Sequence, residues 1–309
     1  MCRALAYLGQ PVLLDNLLYR PDSALVKQSF IHLGPMVMVL AASAVFVPSC
    51  DAAPQEISTA IGERGAPVDP RQIADYPSAI RAIVRVITDK FALTVPRHPL
   101  RIYPSREEFE GGLIEHLGLN PALARSTASF AKAAVGGGGV LINEVEVAGL
   151  TWPERIELMA HELAHTVQLE LTGHRPLNRL QWLTEGYAEW LAYVVTDGLV
   201  LDSMARVRVR IVAQLRALGG VRSLPRLGDL DAFANWIEAR RKYGYAATFS
   251  LSFLAVEFLM ERHSYGATID YFRRFRDSGD YHANFKAAFG EALEDFDAAL
   301  ILHLAKTLD

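Results

Sequence analysis

The chain has 309 residues, of which 51% are hydrophobic and 21% are charged, which excludes a largely disordered protein. The formal net charge of −4 provides no basic field that would attract nucleic acid. Only Cys2 and Cys50 are cysteines, so residues 51–309 contain neither a disulfide framework nor a thiolate zinc site. Any metal in that part of the chain must be held by histidine and carboxylate side chains.

The first 30 residues, which begin "MCRALAYLGQPVLLDNLLYRPDS", form a segment of their own. They resemble the opening of class II glutamine amidotransferases, and the resemblance implies that Cys2 would be an N-terminal nucleophile. Such an enzyme also needs a long β-sheet core that binds glutamine and stabilises an oxyanion, and the resemblance stops before it. We therefore interpret residues 1–30 as a truncated amidotransferase-like segment. A translation start at Met36 or Met38 is the alternative.

An apolar run without a charge, "LGPMVMVLAASAVFV", occupies residues 33–47. It is short for a membrane span and about as long as the core of a secretory signal. Residues 31–53 are therefore predicted to be a signal-peptide or lipoprotein-signal segment, with a buried core helix as the alternative. The motif "VPSC" resembles a lipobox, which implies possible membrane attachment through Cys50, but ordinary cleavage after a following alanine is equally compatible. We expect an exported protein, either periplasmic, at the cell surface or extracellular.

A linker rich in Ala, Pro and Gly, residues 54–76, is predicted to precede a folded domain at 77–309. Apolar residues at helical spacing predict a helix over 77–93. "PLRIYPS" predicts a short strand, and Ser105, with a glutamate three residues later, predicts the cap of the next helix. "GGGGVLINEVEV", residues 136–147, predicts a strand entered through flexible glycines. Its alternating second half indicates an edge strand that an extended peptide could join.

Two long helices are predicted next. "TWPERIELMAHELAHTVQLELTG" has Thr151 as its cap and Gly173 at its end, and "WLTEGYAEWLAYVVTDG" forms the second helix. Between about Arg206 and Leu308 the pattern predicts several helices, with loops near 219–231 and 276–282. The sequence therefore predicts an α+β half followed by an all-α half.

The first of these helices carries the pattern HELAH, in which His161 and His165 are four residues apart. Four residues advance about 6 Å and slightly more than one turn, so both imidazoles project from one face and can hold one ion. Glu162 is rotated by roughly 100° from His161, beside the ion without binding it. A general base must occupy that position in order to take a proton from metal-bound water.

The second helix supplies two further carboxylates. A hydrolytic zinc site needs three protein ligands and one open position. Glu185 follows His165 by twenty positions and can complete the ligand set. Glu189, on the same helix face, can accept the other ring N–H of a ligand histidine. Gly186 removes a side chain where the two helices are expected to approach closely.

Together, HELAH and WLTEGYAEW resemble the gluzincin metallopeptidases, especially the peptidase-MA-like group, and are similar to leucyl-type aminopeptidases. The resemblance runs from about Arg101 to the C-terminus. It implies a zincin-like, thermolysin-type catalytic domain with a small mixed sheet and the HExxH helix, followed by an all-α half. It also implies one Zn²⁺ per chain held by His161, His165 and Glu185, with Glu162 as the base and a peptide or protein as substrate.

Enzymes of this group often stabilise the oxyanion with a tyrosine or histidine from the helical half. "RRKYGYAATFSLSFLAVEFLMERHSYG" resembles the family helix with a tyrosine at its start, which implies Tyr245, with Tyr243 in reserve. Counting back from "AVEFL" places that position at Phe249 instead, and an ordinary core tyrosine is the alternative for Tyr245. The segment that grips a substrate's amino end in aminopeptidases is absent from the sequence, which counts against strict aminopeptidase action.

The sequence therefore predicts an exported zinc metallopeptidase. The main alternative is a catalytically inactive zinc-binding or interaction module on the same fold, with a blocked cleft. A working amidotransferase, which would depend on Cys2, is the least favoured hypothesis.

Overall fold

The computed structural model describes residues 38–41, 55–57, 69–136, 139–175 and 180–308. The chain divides into two compact units, one containing Arg97–Arg155 with the residues before Arg64, the other containing Arg64–Pro96 and Ile156–Asp309. The predicted amidotransferase-like segment, Cys50 and most of the predicted signal and linker segments lie outside the described residues. Among the residues that are described, no helix is both long and apolar enough to cross a membrane.

The first unit is built on a mixed β-sheet. Its strands are β1 (Met38–Ala41), β2 (Gln55–Ile57), β3 (Leu100–Tyr103), β4 (Ala131–Gly136) and β5 (Gly139–Asn143). The spatial order is β1-β4-β5-β3-β2. β5 runs parallel to β3 and antiparallel to β4, and the two short outer strands are antiparallel to their neighbours. The strand predicted from "PLRIYPS" is thus confirmed as β3.

Two helices that follow β3 in the chain pack on this sheet. They are α2 (Arg106–Leu117) and α3 (Pro121–Ala128). The first helix of the chain, α1 (Tyr76–Phe91), belongs to the second unit. Ser105 caps α2 as predicted, because its hydroxyl accepts the backbone N–H of Glu108 at 3.2 Å. Large apolar side chains of α2 and small alanines of α3 and β4 form a common core with the sheet.

The strand predicted over residues 136–147 is shorter and more central than expected. β5 ends at Asn143, and one helical turn, Glu144–Val147, follows it. The prediction of an edge strand is wrong, since β5 is paired on both sides and all its residues are buried. The alternation of two valines with two glutamates was too short to distinguish a strand from a helical turn. Each glutamate of that turn instead forms an ion pair with an arginine at 2.7 Å.

The second unit is helical throughout its described residues. After α4 (Trp152–Leu171) come α5 (Gln181–Gly198), α6 (Met204–Ala217), α7 (Phe233–Tyr243), α8 (Tyr245–Arg262), α9 (Tyr265–Arg274), α10 (Tyr281–Phe289) and α11 (Leu293–Leu308). The helix predicted over 77–93 is confirmed as α1, and the two long helices as α4 and α5. The chain as described is mostly helical with a small mixed sheet, which is compatible with the predicted α+β class.

Helices α5 and α8 of the second unit approach each other closely at Gly186. A Cβ atom on this residue would lie 2.2 Å from the carbonyl oxygen of Ser252 and 2.8 Å from Cγ2 of Val256. Only glycine allows this separation of the two backbones. The prediction that Gly186 serves a close helix contact is therefore right, but the partner helix is α8 rather than α4.

We expect Gly186→Ala to lower the free energy of unfolding by about 2 kcal/mol or more, because the added methyl group must push α5 and α8 apart. The matched control is Gly111→Ala in α2, where an added Cβ meets nothing within 4 Å. There the higher helix propensity of alanine should stabilise by about 0.5–1 kcal/mol. Thermal or urea unfolding of the full chain measures both changes. Equal effects of the two variants would contradict the assigned contact.

Candidate metal centre

Helix α4 begins at a capping interaction that differs from the predicted one. The backbone N–H and the hydroxyl of Thr151 both donate to the carboxylate of Glu154, at 2.7 and 2.8 Å. A negative charge in the first turn is favourable there because of the helix dipole. The helix ends at Leu171 and is followed by Gly173 in the left-handed conformation, with φ of 67°. The boundaries of α4 therefore match the prediction.

Three buried side chains from α4 and α5 converge in the second unit. The Nε2 atoms of His161 and His165 are 3.0 Å apart. Oε2 of Glu185 lies 3.4 Å from Nε2 of His161 and 3.8 Å from Nε2 of His165. Ligand atoms at about 2.0–2.1 Å from a tetrahedral zinc ion are about 3.3 Å from one another, so the triangle has the right size. This buried group could bind a metal ion.

Each of the three side chains has a further partner that orients it. Nδ1 of His161 lies 3.3 Å from Oε1 of Glu189, the carboxylate that the sequence singled out for this contact. Nδ1 of His165 lies 2.9 Å from Oε1 of Gln168. The amide of Gln181 donates to Oε1 of Glu185 at 2.8 Å, which leaves Oε2 of that carboxylate facing the histidines.

Neither glutamine was predicted, although the sequence held a signal for each. Gln168 follows His165 by three residues and Gln181 precedes Glu185 by four, so both lie on the helix face of the residue they contact. A search of those positions for hydrogen-bonding side chains would have found them.

The outer hydrogen bonds determine which ring nitrogens carry a proton. The amide nitrogen of Gln168 donates to the carbonyl of Thr184 at 2.8 Å, so its Oε1 must accept from Nδ1 of His165. Glu189 likewise accepts from Nδ1 of His161. In the neutral rings both Nε2 atoms then present lone pairs to each other across 3.0 Å. Such an arrangement needs a cation or an extra proton between the two nitrogens.

The charges around His161 favour a cation at this position. Burial disfavours the protonated ring, but the carboxylates of Glu185 and Glu189 outweigh burial and raise the pKa of His161 to about 10. Burial also acts to raise the pKa of Glu185, but its hydrogen bond to His161 and the charge of His165 lower that pKa below its usual value. The site therefore attracts positive charge, whether a proton or a metal ion.

Glu162 follows His161 in α4, and its carboxylate is buried without a hydrogen-bond partner among the described residues. It is 1% exposed, and neither carboxylate oxygen has a hydrogen-bond partner within the part of the chain that the structure describes. Burial raises the pKa of Glu162 to about 8, and the negative charges of Glu185 and Glu189 add to that rise against the opposing effect of His161. A buried carboxylate without a partner costs free energy, which is typical of a functional group.

The start of α8 places an aromatic pair near the ligands. The ring of Phe249 lies 6.3 Å from the ring of His161, and Tyr245 stacks on Phe249 at 4.1 Å. Phe249 therefore lies next to His161, and the choice between Tyr245 and Phe249 for the family's tyrosine position stays a prediction. Tyr245 is 39% exposed, yet loss of solvation and the carboxylate of Glu189 raise the pKa of its hydroxyl. The ring of Tyr243, at the end of α7, lies 4.7 Å from the ammonium group of Lys242.

Two further ionisable residues, Glu157 and Tyr193, lie near Glu189 and were not predicted from the sequence. Glu157 lies one turn before His161 on α4, and Tyr193 lies one turn after Glu189 on α5. Burial and then the charge of Glu189 raise the pKa of Tyr193, whose hydroxyl is hydrogen-bonded to Glu189. The helical spacing of four residues was the available signal for both.

Comparisons of the chain with protein-family models, with curated proteins and with solved structures found no match. The functional assignment therefore rests on the geometry of the side chains described above.

We expect Gln168→Met to weaken zinc binding by about 10- to 100-fold, because His165 loses the acceptor that fixes its tautomer and orientation. Competition with a chromophoric chelator measures the affinity. The same substitution at exposed Gln214 on α6 is the control, and it should leave zinc affinity unchanged. Equal affinities of the wild-type protein and Gln168→Met would contradict the orienting role.

Glu157 should give the metal-free protein a characteristic pH dependence. Burial and then the charge of Glu189 raise its pKa from 4.5 to about 7. The folded state therefore binds this proton more tightly than the unfolded chain, and stability falls as pH rises through that interval. With a metal chelator present, the melting temperature should fall less steeply between pH 4.5 and about 7 for Glu157→Gln than for the wild-type protein. Identical slopes would show that the residue is not perturbed.

Proposed function

We propose that the chain is a zinc-dependent metallopeptidase with a zincin-like catalytic arrangement and Glu162 as the general base. The observation that carries this proposal is the buried Glu162 carboxylate, without a hydrogen-bond partner among the described residues, beside the His161–His165–Glu185 group. Three protein ligands leave the fourth position of a tetrahedral ion open, which is typical of hydrolytic rather than structural zinc sites.

The donor set supports zinc as the metal. Two imidazole nitrogens and one carboxylate oxygen suit zinc, whereas calcium and magnesium prefer oxygen ligands alone. The outer partners Glu189 and Gln168 keep both Nε2 atoms directed at the same point. When bound, zinc polarises the scissile carbonyl and lowers the pKa of a water molecule toward about 7.

Glu162 performs the proton transfers in this mechanism. Its carboxylate takes a proton from the attacking water and later delivers that proton to the leaving amine nitrogen. A group that both accepts and donates works best when its pKa lies near the operating pH. Burial supplies this by raising the pKa of Glu162 to about 8, and a nearby cation lowers it again.

Tyr245 is the residue that we propose as hydrogen-bond donor to the oxyanion of the tetrahedral intermediate. Its hydroxyl shares the surroundings of Glu189 and Glu185, and its ring is held by stacking on Phe249. Tyr243 belongs to the preceding helix and contacts Lys242. Export of the enzyme, with attachment through Cys50, stays a prediction about residues outside the described part of the chain.

Glu162→Gln should keep its zinc and lose about 100- to 10,000-fold in peptidase activity, because glutamine fills the same space but cannot accept the proton. Cleavage of a random peptide library by the full chain, followed by mass spectrometry, measures the activity. Glu170→Gln, an exposed substitution on the same helix, is the matched control and should keep full activity.

Undiminished cleavage by Glu162→Gln would rule out the proposed base. Zinc binding by the wild-type chain without cleavage of any library peptide would instead favour the alternative, a non-catalytic zinc-binding module.

A further inference from the structure

Arg240, near the end of α7, brings a positive charge to the edge of the candidate metal centre. Its guanidinium carbon lies 5.6 Å from the ring centre of Phe249 and 5.3 Å from that of Tyr245. Phe249 is in turn 6.3 Å from the ring of the ligand His161. The distance from the guanidinium carbon of Arg240 to the ring centre of His161 is therefore at most the sum of the Arg240–Phe249 and Phe249–His161 distances.

Arg240 is one of the arginines of the second unit that have no acidic partner among the described residues. Other arginines of the second unit contact carboxylates closely, such as Arg208 with Glu257 at 2.7 Å and Arg262 with Glu291 at 2.9 Å. Arg240 is half-buried, and no carboxylate among the described residues lies within ion-pair distance of it. It acts on Glu185 only from a distance, as one of several charges that lower the pKa of that carboxyl.

The side-chain hydrogen-bond donors of Arg240 have no acceptor among the described residues. The guanidinium carbon of Arg240 lies beside the stacked rings of Tyr245 and Phe249, at similar distances from the two ring centres. The N–H groups lie in the plane, where they match the two oxygens of a carboxylate. An arginine whose donors are unpaired can therefore bind both oxygens of a carboxylate.

The carboxylates around the site make a positive charge useful for binding an anionic peptide. Glu157, Glu162, Glu185 and Glu189 all lie around the ligand histidines. When ionised, these carboxylates repel a peptide carboxylate, and the two charges of a bound zinc ion would offset only part of four negative charges. Arg240, in the last turn of α7, supplies a positive charge on one side of the site.

We propose that Arg240 binds a carboxylate of the substrate, so that the chain selects peptides with a negative charge within a few residues of the scissile bond. This proposal rests on the proposed peptidase function. An extended peptide advances about 3.3 Å per residue, so the separation from the ligand ring corresponds to at most about four residues. The carboxylate is either the C-terminal one or that of an aspartate or glutamate side chain, and Phe249 provides an apolar surface for an intervening residue.

The test measures peptide binding to the zinc-loaded full chain carrying Glu162→Gln, in which cleavage is suppressed. The probes are random short peptides in free-acid and C-terminally amidated forms, and matched sets that contain glutamate or glutamine. Adding Arg240→Gln should reduce the affinity for the anionic peptides by about 10- to 100-fold and change that for the neutral ones less than about twofold.

The control is Arg241→Gln, because this neighbouring side chain is 60% exposed and lies 3.8 Å from Glu238. It should keep the anionic preference. Arg240→Lys retains the charge without the planar donors, so it should show an intermediate affinity. This second variant carries the test if Arg240→Gln alters zinc content or melting temperature.

The outcomes separate the two proposals. A preference confined to free-acid peptides identifies a terminal carboxylate, and a preference for glutamate over glutamine identifies an acidic side chain. Equal binding of anionic and neutral peptides, or a preference that survives Arg240→Gln, overturns the role of Arg240. If Arg240-dependent binding is found but the zinc-loaded wild-type chain cleaves none of these peptides, the peptidase function fails and the carboxylate site stands.

Discussion

Two imidazole nitrogens that face each other across 3.0 Å are the constraint on which the candidate site depends. Gln168 and Glu189 each accept a hydrogen bond from the Nδ1–H of one histidine, so neither ring can turn an N–H toward the other. The repulsion between two lone pairs is relieved by a positive charge, which the carboxylate of Glu185 also attracts. Helices α4 and α5 therefore orient a buried group that could bind a cation, through hydrogen bonds to residues outside that group.

The packing of α5 against α8 connects this site to its surroundings. Gly186 directly follows the ligand Glu185, and its missing side chain lets the backbone of Ser252 approach. The same α8 helix carries Phe249 beside His161 and begins at Tyr245. Gly186 thus allows α5 and α8 to pack closely, and α8 carries the aromatic residue that lies next to His161.

Local sequence patterns predicted the helices and the ligand group well, because spacing within a helix determines which side chains share a face. They failed for α3 and β4, whose buried alanines carry no strong helical or strand period. They also failed for β5, because pairing on both sides depends on distant segments. Phe249 and Arg240 approach the site through the packing of α7 and α8, which no spacing within one helix reveals.

The most direct measurement of the central claim is the metal content of the purified full chain, beside that of His161→Ala. Mass spectrometry of the metal after dialysis against trace zinc gives the stoichiometry, and circular dichroism shows that both proteins are folded. The account predicts about one zinc per wild-type chain and almost none in the folded variant. A folded wild-type chain that takes up no zinc, or a His161→Ala chain that retains it, would contradict the metal centre and the function built on it.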